Sequence, residues 1–496
     1  SSSGFEINNG STLRIVRAED VAGDVNGILI SGKTFTFDSN GGGVFEVNGS
    51  PQVLWRDNTI VTTGGSQNTF SGNTTLNIQN SVSNATTQAR FMTFDVADGS
   101  DDVDLLVSTN VANAQLIKDG AGTVALTSST NQMTVATHTV TINDGTLEIG
   151  GAGRLNSGNY TQAITNNGIF KYNSTADQTL SGVISGAGSL EKDNTGTLTL
   201  SGTNTYDGNT TVSAGILEVL TDSALGSATG GTVVDSGATL RLDNGANIAS
   251  EALTLSGTLD GRTNGGDVEY GGAITLAANA EFFAGGSGTF TVSGTVDGAG
   301  NQLTLNHGSP ALDITGAIIG GSTSLVKVGS GTTTLSGANT YTGVTTVSAG
   351  TLALNGAADN SRIAGDANTA TFDVTIAGGT LRNDANEQIA NDASITMSSG
   401  AYSLNGTTET IDAFTNSGGT FTTGTGTLIG LGNTITWSGG TNTINDGGTV
   451  QDTHWDVSGG TNTVQGGTTG GTLHVQSSGT GFEFTGTGAP SIVLNS

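Results

Sequence analysis

The sequence has no cysteine, so no disulfide staples any part of its 496 residues. It has 3 prolines, far fewer than a disordered chain would carry. Lys and Arg number 14 against 42 Asp and Glu, and the net charge is −28. That shortage of cations speaks against nucleic acid as a partner, because Lys and Arg supply most of the affinity for phosphate. After Arg382 there is no Lys or Arg at all. No apolar run reaches the ~18 residues that a membrane-crossing helix needs. The opening "SSSGFEINNGSTLRI" lacks the basic start and apolar core of a signal peptide, so the chain reads as a trimmed product or part of a longer one.

Glycine is abundant, with 80 residues, and threonine is about as frequent. Both are poor helix formers, and no capped 3.6-residue pattern of useful length appears. Val, Ile, Leu, Phe and Thr instead alternate with small polar residues along the whole chain, which is the strand period. The expected fold is therefore all-β.

The alternation is organised in repeats. Residues 189–217, "SLEKDNTGTLTLSGTNTYDGNTTVSAGIL", align without a gap to 324–352, "SLVKVGSGTTTLSGANTYTGVTTVSAGTL". A more divergent copy begins at Leu116, where Lys118, Gly122, Thr123 and Leu126 keep the spacing of Lys192, Gly196, Thr197 and Leu200. It carries four extra residues before "TINDGTLEI", the counterpart of "TVSAGILEV". Near the C-terminus "SGGTFT", "SGGTNTI" and "SGGTNTV" start at 417, 438 and 458. A period of about 20 residues suits one coil of a parallel β-helix, three short strands joined by tight turns. Ile435 with Trp437, and Val450 with Trp455, are candidates to point inward. In the recurring Gly-Thr-Leu of Gly145, Gly257, Gly350, Gly379 and Gly471, glycine reads as corner, threonine as outward and leucine as inward.

The series Lys, Gly-x-Gly-Thr, "LSGxNTYxG", "TTVxAGTL" resembles the passenger-associated repeat of bacterial autotransporters. The resemblance covers roughly a fifth of the chain. It implies a secreted β-helix on the bacterial cell surface and carries no activity of its own. The translocator of that family would end in ten-residue amphipathic strands with aromatic girdles, and the closing "GAPSIVLNS" lacks the usual terminal aromatic.

Parallel β-helices also host polysaccharide-degrading enzymes, whose chemistry needs paired carboxylates. The acidic clusters are Asp101, Asp102 and Asp104 in "DGSDDVDLL", and Asp260, Asp267 and Glu269 beside Arg262 in "LDGRTNGGDVEY". Neither the Gly-His-Gly nor the Arg-Ile-Lys of a pectinase is present. Asp95, Asp98, Asp101, Asp102 and Asp104 supply hard oxygen ligands at short spacing, so calcium is the cofactor this cluster would take. Its spacing matches neither an EF-hand loop nor the calcium-binding nonapeptide. Among four scattered histidines, His454 and His474 are one coil apart and, with Asp452, could hold a metal. Lys118, Lys192 and Lys327, three of five lysines, occupy one position of the repeat. They are either a template position or a contact for an anionic partner. Tyr206 and Tyr341 recur in the same way and read as packing over the "NTYxG" turn.

Together these readings predict a single elongated right-handed parallel β-helix of about 20–22 residues per rung, in sections 1–110, 111–400 and 401–496. The expected role is structural: an extracellular rod, adhesin or stalk, meeting glycans or proteins of a host or cell surface. A second reading is a subunit that stacks end to end into a filament or sheath, since unpaired edge strands recruit other chains. A polysaccharide-degrading enzyme is the third.

Overall fold

A computed structural model describes residues 138–309, 311–357 and 373–431 without interruption, most of 42–137 and 435–465, and isolated strands and bridges elsewhere. The chain divides into two compact units, Ser1–Arg241 and Leu242–Ser496. Among the described residues there is no α-helix, only a three-residue 3-10 turn at Asn156–Gly158. Each unit is a parallel β-solenoid, as the repeats predicted.

In the first unit the chain visits three sheets in turn. One rung runs from Ile184–Gly186 to Ser189–Lys192 to Thr197–Leu200, and the next from Thr205–Tyr206 to Thr210–Val212 to Ile216–Val219. Each strand pairs in parallel with its counterpart one rung later: Ser185 with Thr205, Leu190 with Thr210, Leu198 with Leu217. Between residues 115 and 219 the period runs from 19, at Thr197 to Ile216, to 24, at Leu116 to Val140. Corners, not strands, absorb the difference from the expected 20–22. Where Asn58 pairs with Met92 the rung takes 34 residues.

The second unit repeats the plan. Thr258–Thr263, Ala280–Gly286, Gln302–His307 and Ser324–Val328 stack along one face, and Val268–Tyr270, Thr289–Val292, Ala311–Ile314 and Thr332–Leu335 along the next, within one continuous sheet. Two ten-residue strands, Val374–Asn383 and Ser394–Ser403, run across a corner and pair with each other through a register shift. Gly378 and Gly400 turn them there at φ +144° and +84°.

Alternation carries the fold. Ser189–Lys192 has Leu190 and Lys192 buried with Ser189 and Glu191 half exposed, and the pattern recurs in most strands. Several inward aromatic side chains pack on one another. Phe45 lies edge-on to Phe35 and Phe70, with ring centroids 5.3 and 4.7 Å apart. Tyr402, Phe414, Phe421 and Trp437 form a second aromatic column, with centroids 5.1–6.2 Å apart. Such offset contacts add roughly 0.5–1.5 kcal/mol each beyond area burial. Ile435, Trp437 and Val450 are buried as read from the sequence, while the side chain of Trp455 lies outside the described residues. Gly145 and Gly350 are corners at φ +63°, followed by half-exposed Thr and buried Leu. Gly257 and Gly379 are not positive-φ corners; at the second, the neighbouring Gly378 takes the positive φ. Gly471 lies outside the described residues.

Candidate functional site

The repeat lysines are fully buried. Each sits at an inward strand position immediately before a corner. At that corner the backbone enters the left-handed region two residues on, at Gly120, Asn194 and Gly329, with φ +73°, +62° and +72°. A left-handed residue swings peptide carbonyls away from the ladder and toward the core, where they need a donor. The lysine supplies it. Lys118 Nζ donates to the carbonyls of Asp119, Gly120 and Asp144 at 2.8, 2.6 and 3.2 Å. Lys192 Nζ donates to those of Asp193, Asn194 and Ala214 at 2.7, 2.7 and 2.9 Å. Lys327 Nζ donates to those of Val328 and Gly329 at 2.6 and 2.9 Å. Asp144 and Ala214 belong to the next rung, so one ammonium ties two corners together. Burial pushes each amine down to about 8, and at Lys118 the carboxylates of Asp144, Asp119, Asp95 and Asp104 oppose that shift. With its ammonium spent on corner carbonyls, the repeated lysine is a fastener.

The rest of the cassette does similar work. Asn131, Asn204 and Asn339 each accept from a backbone N–H of the preceding rung, at Val111, Ile184 and Ile318, over 3.0, 2.8 and 2.8 Å. Asn204 Nδ2 also donates to the Ala224 carbonyl at 2.6 Å. Buried Tyr206 and Tyr341 pair their hydroxyls with Thr210 and Thr345, at 2.7 and 2.9 Å, so they pack as expected and present no face to a ligand. The lysine strand of the first copy, Gln115–Asp119, lies in the sheet of Ile164–Asn166. That of the second, Ser189–Lys192, lies in the sheet of Thr146–Gly151 and Ile169–Ser174. The same cassette thus serves different corners of the solenoid, because its bonds are local.

The acidic candidates have separate tasks. Asp104 is buried, and its two oxygens accept from the backbone N–H groups of Gly99 and Thr123 at 2.8 and 2.7 Å. Asp101 accepts from the N–H of Gln67. Asp95, Asp98 and Asp102 are exposed. Among the described residues no three of His, Asp and Glu are grouped to hold a metal, so the five aspartates are not brought together as one ligand set. In the other cluster, both Asp260 oxygens take the Arg262 Nε–H at 3.0 Å, and Arg262 lies over Phe283. Asp267 accepts from the Thr289 N–H, and Glu269 meets Ser293 and Asn247. These carboxylates hold corners and neighbouring rungs rather than face each other. His138 and His307 are buried, and His307 Nε2 meets Thr333 Oγ1 at 2.7 Å. His454 and Asp452, and the side chain of His474, lie outside the described residues.

Two further features carry little sequence signal. Asn416, Asn442 and Asn462 form a buried amide ladder: Asn416 Nδ2 donates to Asn442 Oδ1 at 2.7 Å, and Asn442 Nδ2 to Asn462 Oδ1 at 2.8 Å. The identical spacing of the "SGGTNT" copies was the available clue to the last two. Outside, threonines stack in register. Thr346, Thr375, Thr396, Thr415 and Thr436 form one column. Thr420, Thr441 and Thr461, with Thr422, Thr443 and Thr463 two residues along, form a double column on the next stack of strands in the same sheet. All are half exposed or exposed. At ~4.8 Å between strands, these columns present evenly spaced hydroxyls and methyls.

Fold and corners therefore define a parallel β-solenoid built on a duplicated fastening cassette, with its regular chemistry facing outward. Three segments, 116–149, 190–219 and 325–354, match the family model of the passenger-associated-transport-repeat. The Adhesin BmaC autotransporter of Brucella suis is 29% identical over 280 residues, which is 56% of this chain and 7% of that relative. No solved structure matches the chain. The chain is similar to autotransporter passenger-repeat proteins, as its lysine, "NTY" and "AGTL" positions implied.

Proposed function

We propose that the chain is a non-catalytic, surface-displayed passenger section that adheres through its outward threonine columns to neutral glycan. The paired columns Thr420, Thr441, Thr461 and Thr422, Thr443, Thr463 carry this reading. They form a regular hydroxyl-bearing strip in a stretch with no Lys or Arg after Arg382. Such a strip exchanges hydrogen bonds with sugar hydroxyls and offers nothing to a polyanion. The adhesin named among its relatives supports display and adhesion, and the repeat family supports exposure at the cell surface. In the acidic clusters Asp101, Asp104, Asp260, Asp267 and Glu269 are engaged in structure, which favours adhesion over hydrolysis. The filament reading rests on the chain ends, where the side chain of Ile492 and all of Leu494 lie outside the described residues.

The test is a panel of neutral and acidic glycans offered to the full chain and to a Thr441→Lys/Thr461→Lys variant. The reading expects retention of neutral glycans by the wild type and at least tenfold weaker retention by the variant. Equal retention by both, or retention of acidic glycans alone, contradicts it.

A further inference from the structure

The threonines of three successive rungs form a two-dimensional array. Thr420, Thr441 and Thr461 pair down the ladder, as do Thr422, Thr443 and Thr463, with no register shift between rungs. Neighbouring strands lie about 4.8 Å apart and alternate residues of one strand about 6.6 Å apart, so hydroxyls and methyls repeat on a nearly rectangular mesh. Ala401 and Ser403 pair with Thr420 and Thr422 and extend the mesh by one rung, with a methyl and a hydroxyl. Every member is half exposed or exposed, and none carries charge.

The mesh is also stiff. Threonine is branched at Cβ, which restricts χ1 and fixes hydroxyl relative to methyl. Beneath it lie Asn442, between Thr441 and Thr443, and Asn462, between Thr461 and Thr463, both buried. Their amides tie the rungs together: Asn416 Nδ2 donates to Asn442 Oδ1 at 2.7 Å, and Asn442 Nδ2 to Asn462 Oδ1 at 2.8 Å. The row is anchored to the corners, where Asn416 and Asn462 donate to the carbonyls of Gly419 and Gly459 at 3.1 and 3.2 Å. Under the first rung Phe421 packs on Phe414 and Trp437, with centroids 5.1 and 6.2 Å away. A buried amide row is costly unless its members are bonded. Here the bonds hold the rung spacing from below.

We propose that this mesh is a binding face for ice. Liquid water satisfies a threonine hydroxyl as well as a crystal does, so hydroxyls alone give no preference for ice. Preference requires sites held beforehand at the crystal's own repeat, so that water on the face already occupies crystal positions. On the prism faces of ordinary ice, molecules repeat close to the strand spacing in one direction and close to the two-residue spacing in the other. The methyls sit in the hollows between those molecules and lose contact with liquid water, which adds an apolar contribution. Charge would spoil the fit, because an ion orders water around itself in a pattern foreign to the lattice. The stretch after Arg382 brings no Lys or Arg to the face. Adhesion to neutral glycan uses the hydroxyls; ice needs their spacing as well.

The experiment grows ice slowly from a solution of the fluorescently labelled full chain and measures how much enters the solid. Expected is entry of the wild type at least tenfold above a labelled protein that ice rejects, and entry of Thr441→Lys/Thr461→Lys at that background. Thr254→Lys/Thr275→Lys puts the same charges on exposed, paired threonines of another sheet and should enter as the wild type does. Rejection of the wild type overturns the proposal however the variants fold, and so does equal entry by the two Lys pairs. Retention of neutral glycans by a chain that ice rejects defeats this proposal and leaves the glycan reading standing. Entry into ice without glycan retention does the reverse.

Discussion

Replacing Lys192 by methionine keeps the volume of the side chain and removes the ammonium. Three part-buried carbonyls, of Asp193, Asn194 and Ala214, then lose a donor at 2.7–2.9 Å. Hydrogen bonds to a charged group are worth about 1.5–3 kcal/mol each, so the loss is about 6 kcal/mol. Against it stands relief from burying a charge. The fall from 10.5 to about 8 corresponds, at 1.36 kcal/mol per unit, to about 3 kcal/mol. The net expectation is destabilisation by about 3 kcal/mol, or a roughly hundredfold loss of hydrogen-exchange protection. In a solenoid each rung depends on its neighbours, so the loss should concentrate in residues 189–219 and leave 395–422 untouched. The same lysine fixes a pH dependence. Unfolded, it holds its proton to 10.5; folded, only to about 8, so between those values the unfolded chain binds more protons and stability rises with pH. Urea melts at pH 7.5 and 10 should show that rise shrinking in Lys192→Met. A variant as stable as the wild type, within about 0.5 kcal/mol, or more stable, refutes the corner mechanism.

Asn204→Ala removes the acceptor of the Ile184 N–H and the donor to Ala224, and should cost about 2–4 kcal/mol, read as lost exchange protection around both residues. Gly215 and Gly237 both have positive φ, +68° and +83°, but an added Cβ at Gly215 would lie 2.3 Å from the Asn194 carbonyl, whereas at Gly237 it meets nothing within 4 Å. Gly215→Ala should therefore lower the thermal midpoint clearly more than Gly237→Ala, whose cost is the ~1–2 kcal/mol of left-handed backbone alone. Burial raises the phenols of Tyr160, Tyr270 and Tyr341, so above pH 10 the folded chain holds protons that the unfolded chain has lost. Stability should fall there, and Tyr341→Phe should lessen the slope in alkaline urea melts.

Much of the architecture was legible because a parallel solenoid writes its period into the chain. Leu190, Leu198 and Leu217 recur where strands point inward. The lysine position was equally visible, but its meaning was not. A charged residue repeated at one register suits a partner contact as well as a fastener, and only the inward carbonyls of the left-handed corners decide. Asp104 read as part of a ligand cluster because spacing shows where carboxylates lie along the chain, not which N–H groups they meet across rungs. Buried Glu409, which accepts from the N–H groups of Gln388 and Ile389, gave no signal, since it stands alone in "TTETI" and its partners at 383, 388 and 389 come from earlier rungs. The Asn416 amide escaped notice for the same reason: its partner, Asn442, is 26 residues away.

The central claim is that the repeats spend their lysines inside the solenoid, on corner carbonyls. Amine acylation of the folded full chain, followed residue by residue by mass spectrometry, tests it directly. Lys171, part-exposed beside Glu191 and Asp193, is the internal reference. The account predicts that Lys171 is modified while Lys118, Lys192 and Lys327 stay protected until the chain is unfolded. Modification of those three at the rate of Lys171 in the folded chain would contradict it.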